Sequence, residues 1–412
     1  MCTVRPKPYR IESELGTLET KSHKATGVGR MVYDSGQEWY EATGPREKFR
    51  SIRFTELILD YTSDTSVRDA ARRLNRMRLQ DYGIIPTTLR NTVEREGEAA
   101  AKKMQKAAQS AFAQHSFDQT GMQTGCSGLC IEDASHIENE TVADHATILR
   151  LENVDTEAYE SPEKTVNISI DEVGVKAQRP KRPMPEDVEK PKQVRQTVIH
   201  VQYGEKQYIL NDGTVMGAIR LLIGFLLSNG LAGKQLVFFA DGARDLHNAI
   251  AIMFGWARYK TILDWYHLAK KCREQLSMGL SGRKIRNEVL DILLPLLWLG
   301  NVDSAIEVLS KLTDKQVRNP DIIQKLIDYF DRVRGNIPCY ALRKGLGLRN
   351  SSNMGEKSND LVVSNRQKHN GMSWSREGSV GFASVSALIQ NDDLNNWVRY
   401  RSVRFTPLEK AA

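Results

Sequence analysis

Three runs in the middle of the chain each end in an aspartate: VNISI before Asp171, QLVFFA before Asp241 and YKTIL before Asp264. Each has the length and apolar content of a strand. In the first, Val166, Ile168 and Ile170 alternate with polar residues, and Val173-Gly174-Val175 continues the pattern. Further strands are predicted over Thr197–Tyr203 and Gln207–Leu210. Helices are predicted over Val215–Ser228, closed by Asn229-Gly230, and over Ala243–Phe254 and Tyr266–Leu276. The order β-β-β-α-β-α-β-α implies an α/β unit, a mixed sheet flanked by helices. From Arg283 to Phe330 the periodicity is helical throughout, which reads as an all-α insertion.

The N-terminal part predicts a different organisation. The first 50 residues show little periodicity, apart from a short strand-like patch at Gly29–Asp34. Leu57, Ile58 and Tyr61 stand at helical spacing, and Val67, Ala70, Ala71 and Leu74 follow a capping Ser66. After a break at Asp81-Tyr82-Gly83 and Pro86, a second helix starts at Thr87 or Thr88 and runs on to Phe112 as a charged, Ala-rich stretch that reads as a long solvated arm. The pattern fits a helix-turn-helix with the start of its second helix in a major groove. It equally fits a two-helix hairpin in an α domain. Arg90 and Arg95 on the second helix are candidate DNA contacts.

Charge is unevenly spread. The chain totals +7, yet from Ile131 to Thr165 ten acids face two bases, so the rest carries about +15. From Asp331 to Arg376 nine bases face three acids. A basic surface of that kind neutralises phosphates and makes binding salt-dependent. It includes Arg366 and Lys368, and Trp374 beside them could stack on an unpaired base or sit in the core. His369 is a second stacking candidate.

Composition excludes several classes. Apolar residues make up 40% and charged residues 26% of the 412, unlike a disordered chain, a collagen or a disulfide scaffold. Ile219–Leu227 and Ile292–Leu299 are broken by Arg220 and Pro295, and fall short of the ~18 residues that span a bilayer. MCTVRPKPYR has no apolar segment of the secretory type. Five scattered cysteines fit reduced thiols in a cytosol better than a disulfide framework. Cys126 and Cys130, with His115 and His136 on either side, lack the tight pairing of a zinc site.

The chemistry is expected at the acids. Asp171 and Asp241 close predicted strands, and Glu356 lies in SSNMGEKSND after the insertion. Carboxylates converging at a sheet edge make a hard oxygen site suited to Mg²⁺ or Mn²⁺. Two such ions about 3.5–4 Å apart serve phosphoryl transfer. Asp264 competes with Asp241 as second ligand, and Glu377 with Glu356 as third; Asp245 reads as a helix residue. Asp264 and His267, three apart at a helix start, share a face, where His267 could touch DNA, organise the site or simply pack.

From about Val166 to Val403 the chain resembles the catalytic region of DDE-type insertion-sequence transposases, in the branch related to Mutator-like elements. The similar stretches are ISIDEVGVK, FFADGARDLHNAI, ILDWYHLAKK, and SSNMGEKSND followed by RQKHNGMSWSREG. The resemblance implies a ribonuclease-H-like catalytic domain over 165–280 and 340–405 and a helical insertion at 281–339. The patterns before it read as a mainly α DNA-binding region over 1–115 and an acidic linker over 116–164. The resemblance also implies Asp171, Asp241 and Glu356 as metal-binding catalytic acids, with His267 in the D-x2-H motif. It implies two Mg²⁺ or Mn²⁺ ions, DNA partners at transposon ends and target, and a homo-oligomer on DNA. The implied activity is hydrolysis of element ends and strand transfer. A metal-dependent nuclease of the same fold and an inactive DNA-binding relic are the alternatives.

Overall fold

The computed structural model describes residues 7–22, 25–27, 30–32, 40–41, 49–79, 83–125, 165–179, 192–368 and 372–409. The acidic stretch with Cys126, Cys130 and His136, most of the Pro-rich basic loop, and His369 lie outside the described residues.

The N-terminal region holds strands where a mainly α segment was expected. β1 (Lys7–Ser13), β2 (Gly16–Ser22), β5 (Tyr40–Glu41) and β6 (Phe49–Ser51) form a sheet in the order β2-β1-β6-β5. β3 (Ala25–Gly27) and β4 (Arg30–Val32) form a separate antiparallel pair, of which β4 lies inside the predicted Gly29–Asp34 patch. β1 and β2 read KPYRIES and GTLETKS, where Ile11 and Leu18 are the one aliphatic residue of each, too few for a clear period-two signal. Their two-residue turn is set by Gly16, whose φ of +120° suits glycine.

Helices follow: α1 (Ile52–Asp64), α2 (Val67–Met77) and α3 (Pro86–Gln114). Ser66 caps α2 by accepting a hydrogen bond from the Asp69 amide. The Ala-rich part of α3 is a packed helix, not a solvated arm. Its buried positions, Gly97, Ala100, Met104, Ala108, Ala111 and Phe112, recur every three or four residues. The small ones, Gly97 and Ala108 above all, let other helices come close, at Gly381 and Gly224.

The main sheet is mixed, as the element order predicts. β7 (Thr165–Lys176), β8 (Gln193–Tyr203) and β9 (Lys206–Asp212) form an antiparallel meander. β10 (Gln235–Ala240) lies parallel to β7, and β11 (Tyr259–Leu263) parallel to β10. β12 (Leu408–Glu409) closes the order β11-β10-β7-β8-β9-β12. β10 is apolar along its whole length because helices cover both its faces. Leu236, Phe238 and Ala240 meet α4 (Val215–Ser228), α5 (Arg244–Met253) and the end of α3. Val237 and Phe239 face α6 (Trp265–Gly279) and the helical segment behind it.

That segment comprises α7 (Arg283–Trp298), α8 (Val302–Ser310), α9 (Pro320–Val333) and α10 (Tyr340–Gly345), and shares one core with β10, β11 and α6. α11 (Asn353–Asn359) then runs through a π-helical turn, Asp360–Ser364, into a last turn, Asn365–Gln367. α12 (Arg376–Gln390) and α13 (Leu394–Tyr400) join α1, α2 and α3 in a core with Val173, Val175, Val198 and Ile209 of the sheet. The N-terminal helices therefore pack directly on the sheet and its helices. Among the described residues no helix is long and apolar enough to cross a membrane.

Candidate active site

Register brings the three aspartates together. The β7–β10 ladder ends with Ser169 opposite Phe239, and the β10–β11 ladder with Ala240 opposite Leu263. Two steps beyond Ser169–Phe239 place Asp171 level with Asp241, and one step beyond Ala240–Leu263 places Asp241 level with Asp264. Asp171 was expected at the end of its strand, yet it is the seventh of twelve residues in β7. The strand runs on because β8 still pairs with it through Lys176, while its parallel neighbour has already ended. Asp171 thus stands at the edge of the parallel half of the sheet, on the face that carries Ser169 and Val173.

α11 supplies the fourth acid from above that face. Gly355 lies flat on β7: a Cβ there would come 2.7 Å from the Ser169 Cβ. This close seating puts Asn359 on Asp171, its Nδ2 donating to Oδ2 at 2.6 Å. Glu356, in the first turn of α11, presents Oε1 at 3.7 Å from His267 Nε2.

Asp264 positions the histidine. It is 1% exposed and caps α6. Oδ1 accepts from the His267 amide at 2.8 Å and lies 3.0 Å from His267 Nδ1. Oδ2 accepts from the Ser352 amide and hydroxyl at 2.5 and 3.0 Å. Burial alone would raise its pKa; the bonds from His267 and Ser352 overcome this and hold it below the usual range. Both oxygens are occupied by protein donors, whereas Asp241 is exposed and accepts from the Ala243 amide.

The hydrogen bond to Asp264 raises the His267 pKa against the effect of burial, helped by the charges of Asp264, Glu356 and Asp241. We expect Asp264→Asn to lower the His267 pKa to its ordinary value or below, read by NMR titration of the ring protons. An unmoved titration would mean that the pair does not hold the ring. The stability it confers follows in sign. Asp264, depressed, contributes above the unfolded value of about 3.9 and loses its contribution as pH falls through its folded value. His267, raised, contributes below about 6.5 and loses its contribution as pH rises through its folded value. The pair therefore stabilises most between those limits.

Asp171 and Glu356 are shifted the other way. Burial raises the Asp171 pKa first, then the charge of Asp241, with the Asn359 bond opposing. Burial likewise raises Glu356, and Asp264, Asp171 and Asp360 add to it while His267 opposes. The donors are hard carboxylate oxygens that repel one another, and a divalent cation would remove that repulsion. In their present rotamers, no three His, Cys, Asp or Glu side chains among the described residues form a group that could hold a metal ion.

The other candidates are placed as follows. Asp245 is exposed in the first turn of α5. Glu377 begins α12, where its charge acts on Glu94. Arg90 is exposed on α3, 3.9 Å from Glu94. Arg95 is half-buried and bonds Glu96 at 3.0 Å. Lys368 is exposed. Arg366 and Trp374, expected on a DNA surface, are instead 3% and 6% exposed. Arg366 stacks on Trp374 and donates to the Thr62 carbonyl, while the indole donates to the Gln367 carbonyl. A guanidinium stacked on an aromatic ring is well suited to burial.

Ser352, which holds Asp264, carried no assigned role in the sequence reading, and neither did His247. His247 lies on α5 close enough to Asp241 to feel its charge, though burial lowers its pKa. Their signal was position alone: a serine before a short helix, and a histidine within FFADGARDLHNAI. No protein-family model and no curated protein matches the chain.

Proposed function

We propose that the chain is a DDE-type DNA transposase, with Asp171, Asp241 and Glu356 as its metal-binding acids. The observation that carries this reading is the register that sets Asp171, within β7, level with Asp241, just past the end of the parallel β10, with α11 bringing Glu356 and Asn359 onto the same face. The sheet order β11-β10-β7-β8-β9, antiparallel on one side of β7 and parallel on the other, supports a ribonuclease-H-like fold.

Bound divalent ions, Mg²⁺ or Mn²⁺, would supply Lewis acidity that activates water and stabilises the leaving oxygen. Asp171 and Glu356, partly desolvated, hold the negative charge that such ions need. Asn359 fixes one oxygen of Asp171 and leaves the other available. His267, oriented through Nδ1 by Asp264, directs Nε2 at Glu356 and can hold a proton there. The exposed bases of the Asp331–Arg376 segment, Arg332, Lys344, Lys357, Lys368 and Arg376 among them, engage the DNA phosphates, and the chain acts on paired ends as a homo-oligomer. Freed 3′ hydroxyls then attack target DNA, with no covalent enzyme intermediate.

The test is a cleavage and joining assay on DNA that flanks the chain's own coding sequence, with Mg²⁺ or Mn²⁺. Wild type is expected to nick and join, Glu356→Gln to do neither, and Glu377→Gln to keep both. Activity retained in Glu356→Gln but lost in Glu377→Gln would overturn the assignment. Cleavage without joining would make the chain a nuclease.

A further inference from the structure

We propose that a groove of about 540 Å³, between the starts of α2 and α3 and the segment before α12, binds the terminal phosphomonoester of a nucleotide. The inference does not depend on phosphoryl transfer at Asp171.

Three arginines, Arg68, Arg90 and Arg366, line the groove, and among its lining residues Glu94 is the one acid. Arg68 and Arg90 are exposed at the rim. Arg366 is 3% exposed, so its charge is almost wholly removed from bulk water. Its Nε donates to the Thr62 carbonyl at 2.8 Å, and Nη1 has a sulfur as its acceptor, Met372 Sδ at 3.3 Å. Nη2 is buried and meets no partner among the described residues. Burial pushes the Arg366 pKa down to about 10, so the guanidinium stays charged near neutral pH. A buried cation without a carboxylate is costly until an anion arrives. The start of α3 also opens here. Pro86 and Thr87 line the groove, and the helix N-terminus has no side-chain cap, which favours a negative group.

The chemistry of the occupant follows from charge and shape. Three cations against one acid leave an excess of two. A phosphomonoester carries about −1.5 to −2 at pH 7, whereas a backbone diester carries one charge. The groove is roomier than a phosphate requires, and the rings of Trp374 and Phe382 form part of its wall. Arg366 already lies over both rings, so it is the added room, not stacking on them, that admits a nucleoside beside the phosphate. A free nucleoside monophosphate and the 5′ end of a DNA strand share this chemistry.

The experiment is fluorescence anisotropy with a 3′-labelled single-stranded hexanucleotide, 5′-phosphorylated or 5′-hydroxyl, and dTMP as unlabelled competitor. The phosphorylated strand is expected to bind at least tenfold more tightly, and Arg366→Gln and Arg68→Ala each to erase most of that preference. Arg68→Ala changes an exposed side chain, so it tests the groove even if Arg366→Gln fails to fold. Competition by dTMP supports the site with free nucleotides as its source; preference without competition supports it with strand ends as its source. Equal affinity for the two strands with no competition by dTMP would overturn the proposal. So would a preference that survives in Arg68→Ala and in any folded Arg366→Gln.

Discussion

Asp171→Asn is expected to reduce metal-dependent strand cleavage by about 10³-fold or more, the rate equivalent of ~4 kcal/mol, without lowering thermal stability at pH 7. The two halves have different physical origins. Activity falls because an amide cannot supply the negative charge that a divalent ion requires at this position. Stability holds because the ionised carboxyl is not a stabilising group here. Burial and the charge of Asp241 raise its pKa in the folded chain. A carboxyl raised on folding weakens the fold once pH exceeds its unfolded value. The substitution removes that burden and keeps the hydrogen bond, since Asn359 Nδ2 can donate to the new amide oxygen as it does to Oδ2. Calorimetry should therefore give a Tm unchanged or slightly raised, and binding to end DNA should stay within about tenfold, or ~1.4 kcal/mol. A Tm lowered by many degrees would make Asp171 a structural residue. Normal cleavage would remove it from the site.

How much of this was legible in the sequence depended on whether a signal was local. QLVFFA is a strand ending at Ala240, and VMGAIRLLIGFLLS is a helix from Val215 to Ser228, because apolar content and helical period determine each without help from elsewhere. The position of Asp171 was read one step too simply. Where β7 ends depends on β8, which pairs beyond the point where β10 stops. Arg366 was assigned to the surface because a count of charges contains no depth, while Trp374, left open between a stacked base and the core, lies in the core. Both turn inward after a π-helical turn that leaves Val362, Val363, Ser364, Arg366 and Gln367 all buried. The first strands escaped because each has a single aliphatic residue, Ile11 and Leu18, too few to mark a period of two. In α3 the signal was present but read differently: glycine and alanine in a charged helix marked close packing rather than exposure.

Gly97→Ala tests that close packing and should carry the largest stability cost on α3. A Cβ at Gly97 would sit 1.9 Å from the Gly381 carbonyl oxygen, and the obstruction is backbone, which cannot swing aside. The expected loss is about 3 kcal/mol, the upper part of the range for overpacking, or on the order of 5 °C in a chain of this size. The contact also seats the neighbouring Glu96, which is 2% exposed, accepts from Trp397 Nε1 at 3.1 Å and pairs with Arg401. Forcing α3 off α12 would loosen these bonds around a buried carboxylate, so the cost should exceed that of a methyl group alone. Gly381→Ala should be milder, since its nearest obstacle, the Glu94 carbonyl oxygen, lies at 3.0 Å. Gly345→Ala should be neutral or slightly stabilising, because nothing lies within 4 Å of a Cβ there and alanine favours the helix. Thermal denaturation of the three variants checks this order. If Gly97→Ala melts with wild type, α3 does not lie against α12 as closely as described, and the N-terminal helices would be free to move independently of the sheet.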